Sequence, residues 1–416
     1  MKRVRDILKI FAISILAISP LLWLSQKREE PLDPIRADLV MRATPLPVVP
    51  TSGGGRFVVT NQISPDLKWI ARDELGVPAK KSNGEPNFEL HLRRWPDGAL
   101  IKNLGAQQAQ CQTKWASNSR TLYCWGGDKI ARFDIAANGQ IKTSEVTRRT
   151  RENENGAFSY PNGRNFWLFP DAGQAVEIVF RVGTGFEFRV TNLDSGVTST
   201  TPIQNAAARK FNAAKQRFSC AVAPISGSKT LIGALLLHEI HESRVVVFDL
   251  KSGKTFWEKG FDPFSDKSRI YFSTDAKTLV LTGTPRESVF QNRVVSTNAG
   301  FDFLDIQNGE TVFQGQHSLE KWHDDSQNPF YNDGISDVLY LSDHNQLRFV
   351  RVPNGTELPR IQDVNSTDFR GNWRLDIDFV KPHGDGRVWI FDGSKGVFPV
   401  RREDLGKLKK RWFELP

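Results

Sequence analysis

Arg244-Val245-Val246-Val247-Phe248-Asp249-Leu250-Lys251-Ser252-Gly253-Lys254 is the stretch on which the fold turns. An apolar run of β-branched residues ends in an aromatic, then an acid, an aliphatic, two turn residues and a glycine. Val, Ile and Phe suit a pleated strand. The acid can accept hydrogen bonds from the turn backbone, and the glycine supplies the positive φ that a tight hairpin needs. Side chains alternate along a strand. Val245, Val247 and Asp249 therefore belong to one face, and Arg244, Val246 and Phe248 to the other. Both sets are largely apolar, so both faces are expected to meet neighbouring layers.

The pattern recurs. Clear copies are Phe133-Asp134-Ile135-Ala136-Ala137-Asn138-Gly139 and Leu304-Asp305-Ile306-Gln307-Asn308-Gly309. Looser ones are Thr191-Asn192-Leu193-Asp194-Ser195-Gly196, Val350-Arg351-Val352-Pro353-Asn354-Gly355 and Phe391-Asp392-Gly393, with Trp95-Pro96-Asp97-Gly98 opening the series. Successive glycines stand roughly 40 to 57 residues apart. A second pattern precedes it in each unit, as Ser64-Pro65-Asp66-Leu67-Lys68-Trp69-Ile70, Tyr160-Pro161-Asn162-Gly163-Arg164-Asn165-Phe166-Trp167 and Phe272-Ser273-Thr274-Asp275-Ala276-Lys277-Thr278-Leu279-Val280. Each reads as a polar turn joining an inner strand to the next. Two hairpins per unit make a four-stranded blade.

Arg244–Lys254 resembles the third strand, turn and fourth strand of WD40-like repeats, and Phe272–Leu279 their other hairpin. The resemblance covers about residues 56–402, with Phe or Leu where the usual Trp-Asp pair has Trp, and without the opening Gly-His. It implies an all-β fold, a WD40-like or quinoprotein-like β-propeller of about seven four-stranded blades, with six or eight as alternatives. It implies no site residues, because propellers host unrelated activities. Arg56-Phe57-Val58-Val59-Thr60 is a candidate outer strand for the last blade. Phe248, Leu250, Leu279 and Leu281 are expected to pack between blades or strands.

The composition agrees. The chain of 416 residues has 28 Phe, 11 Trp, 32 Gly and 22 Pro but only 2 Met, which suits many short strands and turns. Its net charge is +9, part of it at the two ends, in Lys2, Arg3, Arg5 and Lys9 and in Lys407, Lys409, Lys410 and Arg411, and the rest dispersed. That end-loading points to a membrane surface rather than nucleic acid. Three cysteines, Cys111, Cys124 and Cys220, make neither a disulfide scaffold nor a zinc site. Cys111 and Cys124 could flank a hairpin and pair in an oxidising compartment; the count favours independent buried thiols.

Ahead of the repeats, Ile10–Ser25 is apolar or small behind a basic start. With its flank the run reaches about 18 residues, long enough for a short span, and Leu22-Trp23-Leu24-Ser25 is a poor cleavage site. Residues 1–30 thus read as an uncleaved signal anchor with a transmembrane helix over about 7–25, N-terminus inside. Residues 31–55, rich in Pro and ending in Ser52-Gly53-Gly54-Gly55, read as a tether; residues 403–416 read as a basic tail. The bulk of the chain is then extracytoplasmic.

Candidate chemistry is thin. His238-Glu239-Ile240-His241-Glu242 has histidines three apart, not the four of the helical zinc motif, and lies between two strand-like runs; it reads as an exposed polar hairpin tip. Trp322-His323-Asp324-Asp325 reads as a solvated loop. Gly183-Thr184-Gly185 reads as a turn, and Ala206–Lys215 as a short inter-blade helix or loop. No nucleophile elbow and no dinucleotide fingerprint occurs. No catalytic residue, metal ligand or cofactor is expected. The expected role is a membrane-anchored interaction or scaffold module whose partner is a protein or envelope component. The alternatives are a quinoprotein-like or hydrolytic enzyme using the central channel, and a small-ligand or ion sensor.

Overall fold

In a computed structural model, the described residues are 35–36 and most of 62–400; undescribed are 81–85, 106–111, 148–156, 159–165, 212–216, 263–267, 318–329 and 363–378, several shorter stretches, and both ends. A two-residue strand β1 (Ile35–Arg36) comes first. Blade 1 holds β2 (Gln62–Ile63), β3 (Trp69–Lys80), β4 (Pro86–Arg94) and β5 (Leu100–Gly105). Blade 2 holds β6 (Gln112–Trp115), β7 (Thr121–Gly126), β8 (Lys129–Ile135) and β9 (Ile141–Thr147). Blade 3 holds β10 (Ala157–Phe158), β11 (Phe166–Phe169), β12 (Gln174–Arg181), β13 (Gly185–Asn192) and β14 (Thr198–Pro202). Helix α1 (Ala206–Lys210) then leads to blade 4: β15 (Arg217–Pro224), β16 (Leu231–His238), β17 (Ser243–Asp249) and β18 (Thr255–Phe261). Blade 5 holds β19 (Arg269–Phe272), β20 (Thr278–Phe290), β21 (Arg293–Asp305) and β22 (Thr311–His317). Blade 6 holds β23 (Phe330–Asn332), β24 (Asp337–Asp343), β25 (Gln346–Arg351) and β26 (Glu357–Gln362); blade 7 shows β27 (Phe379–Pro382), β28 (Val388–Asp392) and β29 (Gly396–Val400).

Within each blade the strands pair in chain order and antiparallel, giving seven sheets. The first strands of neighbouring blades approach one another, β2 with β6 and β15 with β19, which makes them the inner strands. The chain is a β-propeller.

The two-faced reading of Arg244–Asp249 holds. Val246 and Phe248 join Leu250 in the core between blades 3 and 4, with Phe180, Phe186 and Phe188. Val245 and Val247 join Leu279 and Leu281 in the core between blades 4 and 5. Comparable cores lie between blades 1 and 2, 2 and 3, and 5 and 6. The sheets of blades 2 to 5 are thus apolar on both faces.

Five residues separate the third strand from the fourth in each of the first six blades. All six repeat glycines, from Gly98 to Gly355, have φ between +69° and +81°. In blade 4 the acid does what the sequence implies: Asp249 Oδ2 accepts from the Ser252 N–H at 2.9 Å and from its hydroxyl. Asn192 and Asp305 cap their own turns likewise. Asp134 departs from this, because Arg132 lies two residues back on the same face and takes its carboxylate; Thr121 also donates to it.

The strand 1–2 turns lock successive blades. The Asp66 N–H donates to Ser119 Oγ, Ser117 donates through both N–H and hydroxyl to Asp171 at 2.9 Å, and Thr274 does the same to Asp337. Helix α1 is the inter-blade helix expected at Ala206, capped by Asn205, whose side chain accepts from the Ala208 N–H. Asn205 also donates to Glu258, which takes a second hydrogen bond from Arg244. Burial alone would raise the Glu258 pKa, but these two donors outweigh it and hold the carboxyl below its ordinary value. A depressed folded pKa contributes stability above the unfolded value that is lost as pH falls through the folded one. Glu258→Gln should therefore cost under about 1 kcal/mol at neutral pH, as expected for a partly exposed pair. The gap from the parent should close below about pH 4, as read by urea melts across pH.

Several expectations are corrected. Tyr160–Arg164 does not join an inner strand to the next. β10 and β11 both pair with β12, so this segment interrupts one inner strand, and the strand 1–2 turn is Pro170–Gly173. Phe391-Asp392 does not end a third strand. Only three residues separate β28 from β29, against five in every strand 3–4 turn, so β28 is the second strand of its blade. Cys124 is disulfide-bonded and Cys220 is a free thiol, which leaves Cys111 as the one other cysteine in the chain. Independent thiols are thereby ruled out for Cys124. The anchor, the tether apart from Ile35–Arg36, Arg56–Thr60 and the basic tail lie outside the described residues. Among those described, no helix is long and apolar enough to cross a membrane.

Candidate functional site

The blade pattern gives the molecule two unlike ends. One carries the strand 1–2 and strand 3–4 turns. The other carries the strand 2–3 hairpins and the links between blades.

At the hairpin end, two blades differ from the rest. β20 and β21 pair from Thr278↔Asp305 out to Phe290↔Arg293, past a bulge at Gly283, and β3 pairs with β4 out to Lys80↔Pro86. Second strands in blades 2, 3, 4 and 6 have six to eight residues, whereas β20 has 13 and β3 has 12. The seven residues of β20 beyond the bulge correspond to about 20 Å of strand. Blade 5 therefore projects a long paired arm, and blade 1 a shorter one, since β4 has only nine residues and its register with β3 breaks after Leu75↔Phe88. At the bulge, Gly283 has a φ of +79°, and its carbonyl accepts from the buried Ser268 hydroxyl.

At the turn end, a depression of about 620 Å³ lies between blades 1 and 2. Lys102 of β5 forms one wall; Arg120, Asp134, Gln140 and Lys142 of blade 2 form the other. Asp134 is held by Arg132, which also reaches Asp194 at 3.1 Å. Lys102, Arg120 and Lys142 are exposed and carry no side-chain ion pair among the described residues.

On the inner strands, Lys114 reaches over the Phe169 ring at 5.8 Å. Surrounding protein lowers its pKa, while Asp171 raises it. Its side chain meets solvent. Cys220 on β15 is pushed up by burial and is therefore a poor nucleophile. Among the described residues no three His, Cys, Asp or Glu side chains are grouped to hold a metal.

The structure separates the residues singled out in sequence. His238 is no exposed tip: it ends β16, buried, opposite Arg217 and Ser243. The apolar run Leu231–Leu237 simply continues one residue further as strand than its polarity suggests. Glu239–His241, Trp322–Asp325 and Gly183-Thr184 lie outside the described residues; Gly185 opens β13 with a φ of +86°. Sequence reasoning missed both the arms and the cationic groove. Neither has a local signature, since the three cations come from separate strands and turns.

No family model matches the sequence, and no curated protein matches it. Among solved structures the chain is similar to hydrazine synthase of Kuenenia stuttgartiensis, at 12% identity and a TM-score of 0.48, over 85% of this chain and 97% of that one. It is similar to the Dos1 propeller at 12% identity and a TM-score of 0.38, over 87% of each chain. It is similar to BamB from Moraxella catarrhalis at 10% identity and a TM-score of 0.37, over 81% of this chain and 82% of that one.

Proposed function

We propose that this chain is a membrane-tethered, extracytoplasmic β-propeller that binds a protein or envelope partner. The observation that carries the binding role is the arm of blade 5, which is paired out to Phe290↔Arg293 and projects from one end well past its neighbours. Projecting segments on a rigid scaffold are where binding concentrates. Two features support the location. The apolar run Ile10–Ser25 follows Lys2, Arg3, Arg5 and Lys9, the charge order of an anchor with its N-terminus inside. The disulfide at Cys124 belongs to an oxidising compartment.

A photo-crosslinking amino acid at Gln291, between β20 and β21, tests the role in intact cells against a control at Asn308 in a turn of the same blade. The expected result is a discrete adduct from position 291, the same protein each time by mass spectrometry, and none from 308. No adduct at 291, or the same mixture from both positions, would count against an interaction module.

A further inference from the structure

At the turn end, each blade's outer strand seals the seam to the next blade. A Cβ on the repeat glycine of blade 3, 4, 5 or 6 would meet the outer strand of the blade before it. Val146 stands at Gly196, the Pro202 carbonyl at Gly253, the Trp257 ring at Gly309 and the Phe313 ring at Gly355. In the last two seams a flat ring lies against the glycine. The Trp257 ring is also held there, since its Nε1–H donates to the Ile306 carbonyl at 2.7 Å.

The seam between blades 1 and 2 departs from this. Trp257 follows Gly253 by four residues, and Phe313 follows Gly309 by four. Each pairs with the residue six before its glycine, Trp257 with Val247 and Phe313 with Phe303. In blade 1 the residue four after Gly98 is Lys102, and it pairs with Leu92, again six before the glycine. Lys102 thus occupies the place of the ring. Among the described residues, nothing comes within 4 Å of a Cβ at Gly139 in blade 2. The depression of about 620 Å³ opens at this seam, with Gly139, Ile135 and Ile141 in its wall, and its volume is that of a ligand pocket. Lys102, Arg120 and Lys142 border it. Asp134, the carboxylate in its lining, is already held by Arg132 and Thr121. The π-face of a ring attracts ammonium and guanidinium groups.

We propose that this groove receives an aromatic side chain of a protein partner, laid over Gly139 as Trp257 lies over Gly309, with Lys102, Arg120 and Lys142 around its rim. The occupant's chemistry follows from the neighbouring seams, where the same place holds a ring. The site lies at the end opposite the blade 5 arm and does not depend on it.

The test titrates the full chain in lipid nanodiscs, its isoleucine methyl groups isotope-labelled for NMR, with N-acetyltryptophanamide or N-acetylleucinamide. The Ile135 and Ile141 methyl signals should move with the tryptophan amide, and the leucine amide should need a concentration about fivefold higher for the same shift, because it lacks a π-face. Lys102→Trp supplies the missing ring from within and should weaken the tryptophan amide by about tenfold or more, with a urea midpoint no lower than the parent's. Lys102→Ala leaves the groove open and should still bind. No shift, equal shifts from both amides, shifts that survive Lys102→Trp, or binding lost in Lys102→Ala would each overturn the ring site. A photo-crosslinking amino acid at Gln140 in intact cells then decides the occupant. The expected adduct is a peptide of another protein containing Phe, Tyr or Trp, lost with Lys102→Trp. A link to Trp412 or Phe413 of the same chain, a link to a second copy, or no adduct overturns the partner.

Discussion

Gly253→Ala should destabilise the propeller by about 2–5 kcal/mol, whereas Gly139→Ala, at the same place in the repeat, should cost only about 1–2 kcal/mol. Both glycines have left-handed backbone, with φ of +69° and +81°, so both substitutions incur the strain of a side chain there. They differ in what a Cβ would meet. At Gly139 nothing lies within contact distance. At Gly253 the new atom would overlap the carbonyl oxygen of Pro202 at the end of β14 in the preceding blade. That oxygen belongs to backbone and cannot rotate away. The same segment is bound to the turn, since the Gln204 N–H donates to the Gly253 carbonyl at 2.9 Å. Relief would mean parting blades 3 and 4. Chemical melts of the two variants read the difference; equal losses would mean that the turn of blade 4 does not seat against blade 3.

Phe248→Ala should cost about 3–5 kcal/mol. The ring is fully buried, stands 4.8 Å from Phe188 across the blade interface, and lies against Gly233 on its own sheet. A Cβ at Gly233 would overlap that ring, so Gly233→Ala alone should cost about 1–3 kcal/mol by overpacking. The two are coupled: with the ring gone, the added methyl fills part of the space it left. The double variant should therefore lose less than the sum of the single losses, by about 0.5 kcal/mol or more. Additive losses in the denaturation midpoints would place Phe248 elsewhere than over Gly233.

These two predictions also mark what a linear sequence reveals. The hairpin glycines were legible because positive φ is a local demand that almost only glycine meets, and the six copies from Gly98 to Gly355 meet it. The dual apolar faces of Arg244–Asp249 were legible for a similar reason, since a strand buried on both sides must be apolar at odd and even positions alike. Longer-range effects were not legible. Asp134 and Asp249 occupy the same place in the repeat, yet Arg132 diverts one of them. The second glycine role, leaving room for the preceding blade's outer strand, depends on residues about 50 positions away. The arm of blade 5 escapes notice because Pro285 and Gly300 in its strands look like breaks. The strand at Ile35–Arg36 is two residues long, too short for any periodicity to reveal. Cys124 shows the limit of counting: three cysteines make no scaffold, but one hairpin can still hold a bond.

The site was the least legible part. Lys102, Arg120 and Lys142 become neighbours only because blade 1 presents its outer strand to the turns of blade 2. His238 and His241 drew attention by composition, but the first is buried at a strand end rather than exposed at a tip.

Membrane fractionation of the full chain, with protease added to intact spheroplasts, tests the proposed extracytoplasmic anchoring most directly. The chain should stay with the membrane pellet through high-salt and alkaline carbonate washes, because an apolar run rather than charge retains it. Protease should remove the propeller while a cytoplasmic marker survives. A propeller protected together with that marker, or a chain released by salt, would contradict the account.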